Sequence, residues 1–173
     1  MICCPFCGAE NIPGDDLCEV CHEPLSTLHL PEPATEVERG LIKDRLESLN
    51  PRAPVVVEPE MPVLPVLRMM LDHKIGCVLV VKEARVVGIF TERDALLRLS
   101  DDPQEWKDRP VSEFMTPNPQ TLDLKAKVAF AVQRMDQGGY RHVPVVDDQQ
   151  RPIGVISVRD ILRYLTERLG APV

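Results

Sequence analysis

The sequence predicts an α+β protein: two β-α-β-β-α repeats packed with pseudo-twofold symmetry, preceded by a small cysteine-rich module. Three observations carry this. Shifting the chain by 65 residues places Pro54 on Pro119, Val63 on Val128, Met70 on Met135 and Val80-Val81 on Val145-Val146. One extra residue makes the shift 66 and aligns Gly88-Ile89-Phe90-Thr91-Glu92-Arg93-Asp94 with Gly154-Val155-Ile156-Ser157-Val158-Arg159-Asp160. Within each copy, apolar runs of strand length alternate with longer segments of helical spacing. Five of the six cysteines fall in the first 21 residues. The expected organisation is a cysteine module over 1–30, a linker and incoming helix over 31–53, a first repeat over 54–105 and a second over 106–173.

Cys4-Pro5-Phe6-Cys7-Gly8 and Cys18-Glu19-Val20-Cys21 form two Cys-x-x-Cys pairs. A two-residue spacer lets two thiolates converge on one tetrahedral ion, and four sulfur ligands select zinc, with iron as the weaker alternative. A segment of this size has too little apolar surface to fold alone, which makes a metal its natural staple. Free or redox-active thiols are the other reading. Cys3 and His22 are spectators beside the ligands, either able to substitute. The spacing, with Asn11, Pro13 and Gly14 between the pairs, resembles the short zinc ribbons found at the ends of many prokaryotic proteins. Residues 1–30 carry Glu10, Asp15, Asp16, Glu19 and Glu23 and no Lys or Arg. Phosphate contacts need cations, so a structural or protein-docking module is expected and nucleic acid is not.

Composition points the same way. A hydrophobic content of 44% is ordinary for a globular chain, and the net charge of −7 disfavours broad binding to nucleic acid or anionic membrane. No apolar run approaches the roughly 20 residues that span a bilayer, and the N-terminus lacks signal-peptide features, so a cytoplasmic location with no membrane contact is expected.

Pro31-Glu32-Pro33 reads as a stiff connector, and Thr35-Glu36-Val37-Glu38 as a capping box. Val37, Leu41, Ile42, Leu46 and Leu49 follow at near-helical spacing, predicting one helix that ends at Asn50-Pro51. In the first repeat, strands are expected at Val55–Val57, Cys77–Val81 and Val86–Phe90, with helices at Met61–Leu71 and Glu92–Leu99. In the second, strands are expected at Gln120–Leu122, Val143–Val146 and Ile153–Ile156, with helices at Leu124–Gln137 and Val158–Leu169. Gly138-Gly139 ends the first of these helices. Cys77 reads as a buried strand residue.

The twin motif, with Val111-Ser112-Glu113-Phe114-Met115-Thr116-Pro117 leading into the second repeat and Tyr140-Arg141-His142-Val143-Pro144-Val145-Val146 inside it, resembles a tandem pair of CBS domains, or Bateman module. The resemblance covers about two-thirds of the chain. It implies a non-enzymatic regulator that binds AMP, ADP, ATP or S-adenosylmethionine in its clefts, forms a homodimer and signals to a protein partner. It further implies that Asp94 and Asp160 accept the two ribose hydroxyls and that Thr91 and Ser157 meet ribose or phosphate at a helix start. Gly88 and Gly154 would let backbone approach the ligand. Val56 and Thr121 would open the strands lining the adenine slot. Tyr140, Arg141, His142 and Arg159 complete the set, with Arg141 and His142 as a cationic clasp for phosphate.

The first copy departs from the pattern: Ile75, Gly76 and Cys77 stand where the second has Tyr140, Arg141 and His142, with only Lys74 nearby. The hydroxyl and carboxylate pairs also read as plain helix caps worth about 1 kcal/mol each, and duplication fits both readings. The sequence offers no paired nucleophile and base and no open metal site, so no enzyme is expected. The alternative to a ligand sensor is a structural zinc-ribbon adaptor for protein docking.

Overall fold

The computed structural model describes residues 2–4, 6–12, 16–25 and 35–170. The connector Pro31-Glu32-Pro33, and Pro5, Pro13, Gly14 and Asp15 of the cysteine module, lie outside the described residues. In chain order the elements are β1 (Ile2–Cys3), β2 (Glu10–Asn11), α1 (Glu36–Lys43), β3 (Val56–Val57), α2 (Val63–His73), β4 (Cys77–Lys82), β5 (Arg85–Thr91), α3 (Glu92–Arg98), β6 (Thr116–Pro117), β7 (Leu122–Asp123), α4 (Val128–Gly138), β8 (His142–Val146), β9 (Pro152–Ser157) and α5 (Val158–Arg168). The expected β-α-β-β-α order is present twice, and β6 is an addition to it.

The incoming helix is shorter than its spacing predicts. Thr35 caps α1 with the expected reciprocal bonds to Glu38. The helix then stops at Lys43, and Leu46–Leu49 resume as a 3-10 turn. Long-range pairing explains the break: the Val128 amide donates to the Asp44 carbonyl (2.9 Å), the Leu46 amide donates to the Ala126 carbonyl (2.9 Å), and Arg45 bridges Lys127. An extended backbone at 44–45 makes these bonds possible and still buries Leu46 and Leu49. Helix ends differ between the repeats as well. Gly139 closes α4 in the left-handed region (φ 61°), where glycine carries no steric penalty, whereas Lys74 adopts the same conformation (φ 52°) after α2.

Residue contacts group the chain into two compact units. One comprises residues 51–121 and 142–156. Its main sheet has the order β3-β4-β5-β6, with β3 parallel to β4 and the remaining neighbours antiparallel. Alternation along the strands separates two buried faces. Val78, Val80 and Phe90 join Val63, Val66 and Met70 of α2 with Val57, Val111 and Phe114. Cys77, Leu79 and Ile89 form the opposite cluster, with Val81, Val86 and Val155 packed against it.

The repeats in this unit exchange edges. The segment entering the second repeat supplies β6, which pairs with β5 at Gly88↔Pro117 and Ile89↔Thr116. The segment entering the first reaches the other way: Arg52 bridges Val155 of β9, whose amide donates to the Arg52 carbonyl (3.0 Å). Each entering segment thus covers an edge left open by the other repeat.

The second unit comprises the described residues of 1–50, 122–141 and 157–173. Here α1 packs on α4 and α5. The Tyr164 hydroxyl donates to the Asp44 carboxylate (2.8 Å), Arg168 pairs with the same carboxylate, and its guanidinium lies 5.0 Å over the Tyr164 ring. Burial and the Asp44 hydrogen bond push the Tyr164 hydroxyl up to about 12. The cysteine module docks on α4. Phe6, inside the first Cys-x-x-Cys, stacks on Phe130 (centroids 4.3 Å apart, 27° between planes), and one helical turn on Arg134 donates to Glu23 (2.9 Å).

Candidate functional site

The four cysteines converge as the spacing predicts. The Cys4, Cys7, Cys18 and Cys21 sulfurs all lie within 4.8 Å of one another, with Cys4 to Cys21 and Cys7 to Cys18 both 3.6 Å. A tetrahedral ion about 2.3 Å from each thiolate sets its ligands roughly 3.8 Å apart, so the cluster fits such an ion with little movement. Backbone amides already point at two sulfurs: Phe6 donates to Cys4 (3.3 Å) and Val20 to Cys18 (3.4 Å). Burial raises the Cys7 and Cys21 thiols. Burial also opposes ionisation of Cys18, but the amides of Cys21 and Val20 outweigh it and hold that thiol down at about 6. The small core around them, Cys4, Cys18 and Leu25 with Phe6, Ala9 and Cys21, contains the ligands themselves.

The twin motif closes two capping boxes. In the first copy, the Thr91 amide (3.0 Å) and hydroxyl (2.5 Å) donate to Asp94 Oδ2, and the Asp94 amide donates back to Thr91 Oγ1 (3.2 Å). In the second, the Ser157 amide (2.8 Å) and hydroxyl (2.6 Å) donate to Asp160 Oδ2, and the Asp160 amide donates to Ser157 Oγ (3.4 Å). The turn before each helix is tied the same way: the Glu92 amide donates to the Gly76 carbonyl (3.1 Å) and the Val158 amide to the Arg141 carbonyl (3.0 Å). Both carboxylates are buried, Asp94 at 7% exposure and Asp160 at 4%.

Beyond the cap the copies diverge. Asp94 Oδ1 accepts from the Thr116 hydroxyl (2.9 Å) and pairs with Arg98 (3.3 Å). Arg98 also donates to the carbonyls of Phe114 (2.8 Å) and Met115 and to Thr116 Oγ1 (3.2 Å). Asp160 Oδ1 accepts from Arg163. Sequence reading missed Arg98, Thr116 and Arg163. The two arginines carried a signal, since Asp to Arg at i,i+4 and i,i+3 share a helix face. Thr116 carried none.

The remaining predicted residues are placed as follows. Gly88 and Gly154 are buried, and protein fills the space beside them: a Cβ at Gly88 would overlap the Met115 sulfur, and one at Gly154 would lie 2.6 Å from Pro51 Cβ. Their smallness therefore serves the exchanged edges. Thr121 is half-buried immediately before β7, and Val56 is exposed on β3. Tyr140 lies against Gly138, where a Cβ would overlap its ring. Arg141 and Arg159 have exposed side chains. His142 stands over Gly76 of the first repeat, its Cε1 2.9 Å from where a Cβ would be, and the Glu92 carboxylate reaches the same spot (3.3 Å). Cys77 is buried as expected, and burial followed by the nearby Glu92 charge pushes its thiol up to about 12.

Two β-α-β-β-α repeats with exchanged edges and a capped aspartate at the same helix start in each define a tandem-repeat module. The CBS domain family model matches residues 46–101 and 111–167, and the chain belongs to that family. An uncharacterised 17.7 kDa protein of Acidianus ambivalens is 31% identical over 122 residues, covering 68% of this chain and 73% of that protein. A crystallised CBS domain pair in complex with 5'-methylthioadenosine and S-adenosyl-L-methionine is 22% identical (TM-score 0.64), with 72% of this chain and 98% of that chain covered. The crystal structure of CBSX2 in complex with AMP is 21% identical (TM-score 0.62), with 71% and 96% covered. Seven further curated relatives are longer proteins, of which this chain spans 14% to 49%. Among the described residues, no helix is long and apolar enough to cross a membrane.

Proposed function

We propose that the chain is a non-enzymatic regulatory protein that binds an adenosine-containing ligand, AMP, ADP, ATP or S-adenosylmethionine, and passes the resulting change to a protein partner. One observation carries this reading: a CBS pair in which a buried carboxylate stands at a helix start beside a hydroxyl, two groups with which a ribose diol can exchange hydrogen bonds. Relatives crystallised with adenosyl ligands support the ligand class. Ser157, Asp160, Tyr140, Arg141 and Arg159 are the residues assigned to binding. In this reading the protein is cytoplasmic and homodimeric, the second copy covering exposed apolar side chains such as Leu71, Leu96 and Leu97. Zinc is the ion assigned to Cys4, Cys7, Cys18 and Cys21, where it would cross-link the module that rests on α4.

A thermal-shift panel of the four ligands tests the reading. A ligand that binds only the folded state, at about 100 times its dissociation constant, adds roughly 2.7 kcal/mol. A rise in midpoint with at least one ligand is expected; no rise with any of them contradicts the proposal. A second reading, a structural adaptor, is favoured by the internally satisfied caps and the docked cysteine module. It predicts metal-dependent capture of a partner that is indifferent to nucleotide.

A further inference from the structure

We propose that metal occupancy of the cysteine module controls the affinity of the second repeat for its adenosine-containing ligand, with α4 as the link between the two sites. This rests on the adenosyl reading above and names what regulates that site.

Both halves of the module grip one face of α4. Phe6 lies between Cys4 and Cys7, packs against the buried Cys4, Cys18 and Leu25, and stacks on Phe130. Glu23 follows Cys21 by two residues, its carbonyl accepts from the Cys18 amide (2.8 Å), and its carboxylate accepts from Arg134 (2.9 Å). Phe130 and Arg134 are four residues apart and so share a helix face. An ion held by both Cys-x-x-Cys pairs fixes Phe6 and Glu23 relative to each other, so metal binding and docking on α4 favour one another.

In turn, α4 is bonded toward α5 at both of its ends. At the N-terminal end the Val128 amide donates to the Asp44 carbonyl (2.9 Å), while the Asp44 carboxylate accepts from Tyr164 (2.8 Å) and pairs with Arg168, both on α5. At the C-terminal end the chain leaves through Tyr140 and Arg141, and the Arg141 carbonyl accepts from the amide of Val158, the first residue of α5 (3.0 Å). Tyr140, Arg141, Ser157, Arg159 and Asp160, the residues assigned to binding, all lie within two residues of one end of that last bond. A shift of α4 is therefore carried to them. The docking contact is separable from the helix's own core: Val128, Ala131 and Met135 are buried, whereas Phe130 and Arg134 are half-buried.

Titration of the reduced full chain with AMP, and separately with S-adenosylmethionine, is compared between the chain loaded with stoichiometric zinc and the chelated chain. Whichever compound binds should bind at least about fivefold more tightly to the zinc-loaded chain, the lower end of typical coupling between sites. Linkage requires the reverse effect at equal size: the saturating compound should raise zinc affinity, read by competition with a chromophoric chelator, by the same factor. Phe130→Ala/Arg134→Ala keeps the four cysteines, so it should still bind zinc, and its two metal states should bind the compound alike. Phe130→Tyr, which keeps a stacking ring, should retain the difference, and Glu23→Gln, a change within the module, should shrink it. Affinity that is equal or tighter after chelation of the unmodified chain overturns the linkage and leaves the adenosyl reading standing. A zinc effect that persists undiminished in the paired variant and in Glu23→Gln overturns α4 as the link. Binding of neither compound in either metal state contradicts the adenosyl reading itself, and the linkage with it.

Discussion

The two copies of the motif share a capping box and differ in what lies over it. In the first, the far oxygen of Asp94 is held from one turn along its own helix by Arg98 and from the exchanged strand by Thr116. In the second, Arg163 holds the far oxygen of Asp160 from within the same helix, and the surrounding helices carry the cysteine module through Phe130 and Arg134. A local need, satisfying the first amides of a helix, keeps both boxes alike. The long-range contacts are free to diverge, and they give the first copy a bond from the exchanged strand and the second a neighbouring cysteine module.

Removing the zinc ion proposed for the cysteine module should separate the copies most strongly. Structural zinc in small modules contributes on the order of 10 kcal/mol of folding free energy. Chelation is therefore expected to abolish hydrogen-exchange protection at residues 2–4, 6–12 and 16–25 and to lower it in α4, while α2 keeps its protection. Equal loss in α2 and α4, or none in α4, breaks the comparison.

Cysteine chemistry offers the next contrast. Cys77 stands where the second copy has His142, and its thiol is pushed up to about 12 from a usual value near 9. Below pH 9 its thiolate fraction should be about a thousandfold lower than that of a free cysteine, so alkylation of the chelated protein should spare Cys77 while the cysteines of the module react. The sign for stability follows: the unfolded thiol ionises first, so this group's contribution is intact below pH 9 and declines as pH rises toward 12. Rapid native-state labelling of Cys77 would contradict its burial.

Smaller effects sharpen the caps. Thr91→Ala and Ser157→Ala should each cost about 1 kcal/mol in denaturant unfolding, since both remove the same cap. Thr116→Val should cost about 1 kcal/mol more in the first copy alone. The hairpins give the smallest effect. The β4–β5 turn places Glu83 (φ 51°) and Ala84 (φ 64°) in the left-handed region, whereas the longer β8–β9 turn is braced by Asp147, which accepts from the Arg151 amide (2.9 Å). Replacing Glu83-Ala84 with Asn-Gly should stabilise the protein by roughly 0.5–1 kcal/mol, read as a shift of the unfolding midpoint.

Much of the fold was legible because its signals are local. The 65-residue offset, the hydroxyl-to-carboxylate spacing at Thr91 and Ser157, and the Cys-x-x-Cys pairs each sit within one element or one repeat. What escaped depends on distant partners. Strand β6 is only two residues long and exists because β5 has an open edge. The break at Asp44 follows from backbone bonds to residues 126–128, which override a helical apolar stripe. Thr116 reads as part of the segment leading into the second repeat, and only the exchanged edge brings it to Asp94.

The central claim, a CBS pair that takes an adenosyl ligand beside a metal-binding cysteine module, is tested most directly by native mass spectrometry of the full chain incubated with AMP or S-adenosylmethionine. The predicted spectrum shows each chain carrying one zinc ion and a ligand mass, the ligand occupancy falling in Asp160→Asn. Chains carrying metal and no ligand at saturating concentrations of both compounds, or ligand and no metal, would contradict it.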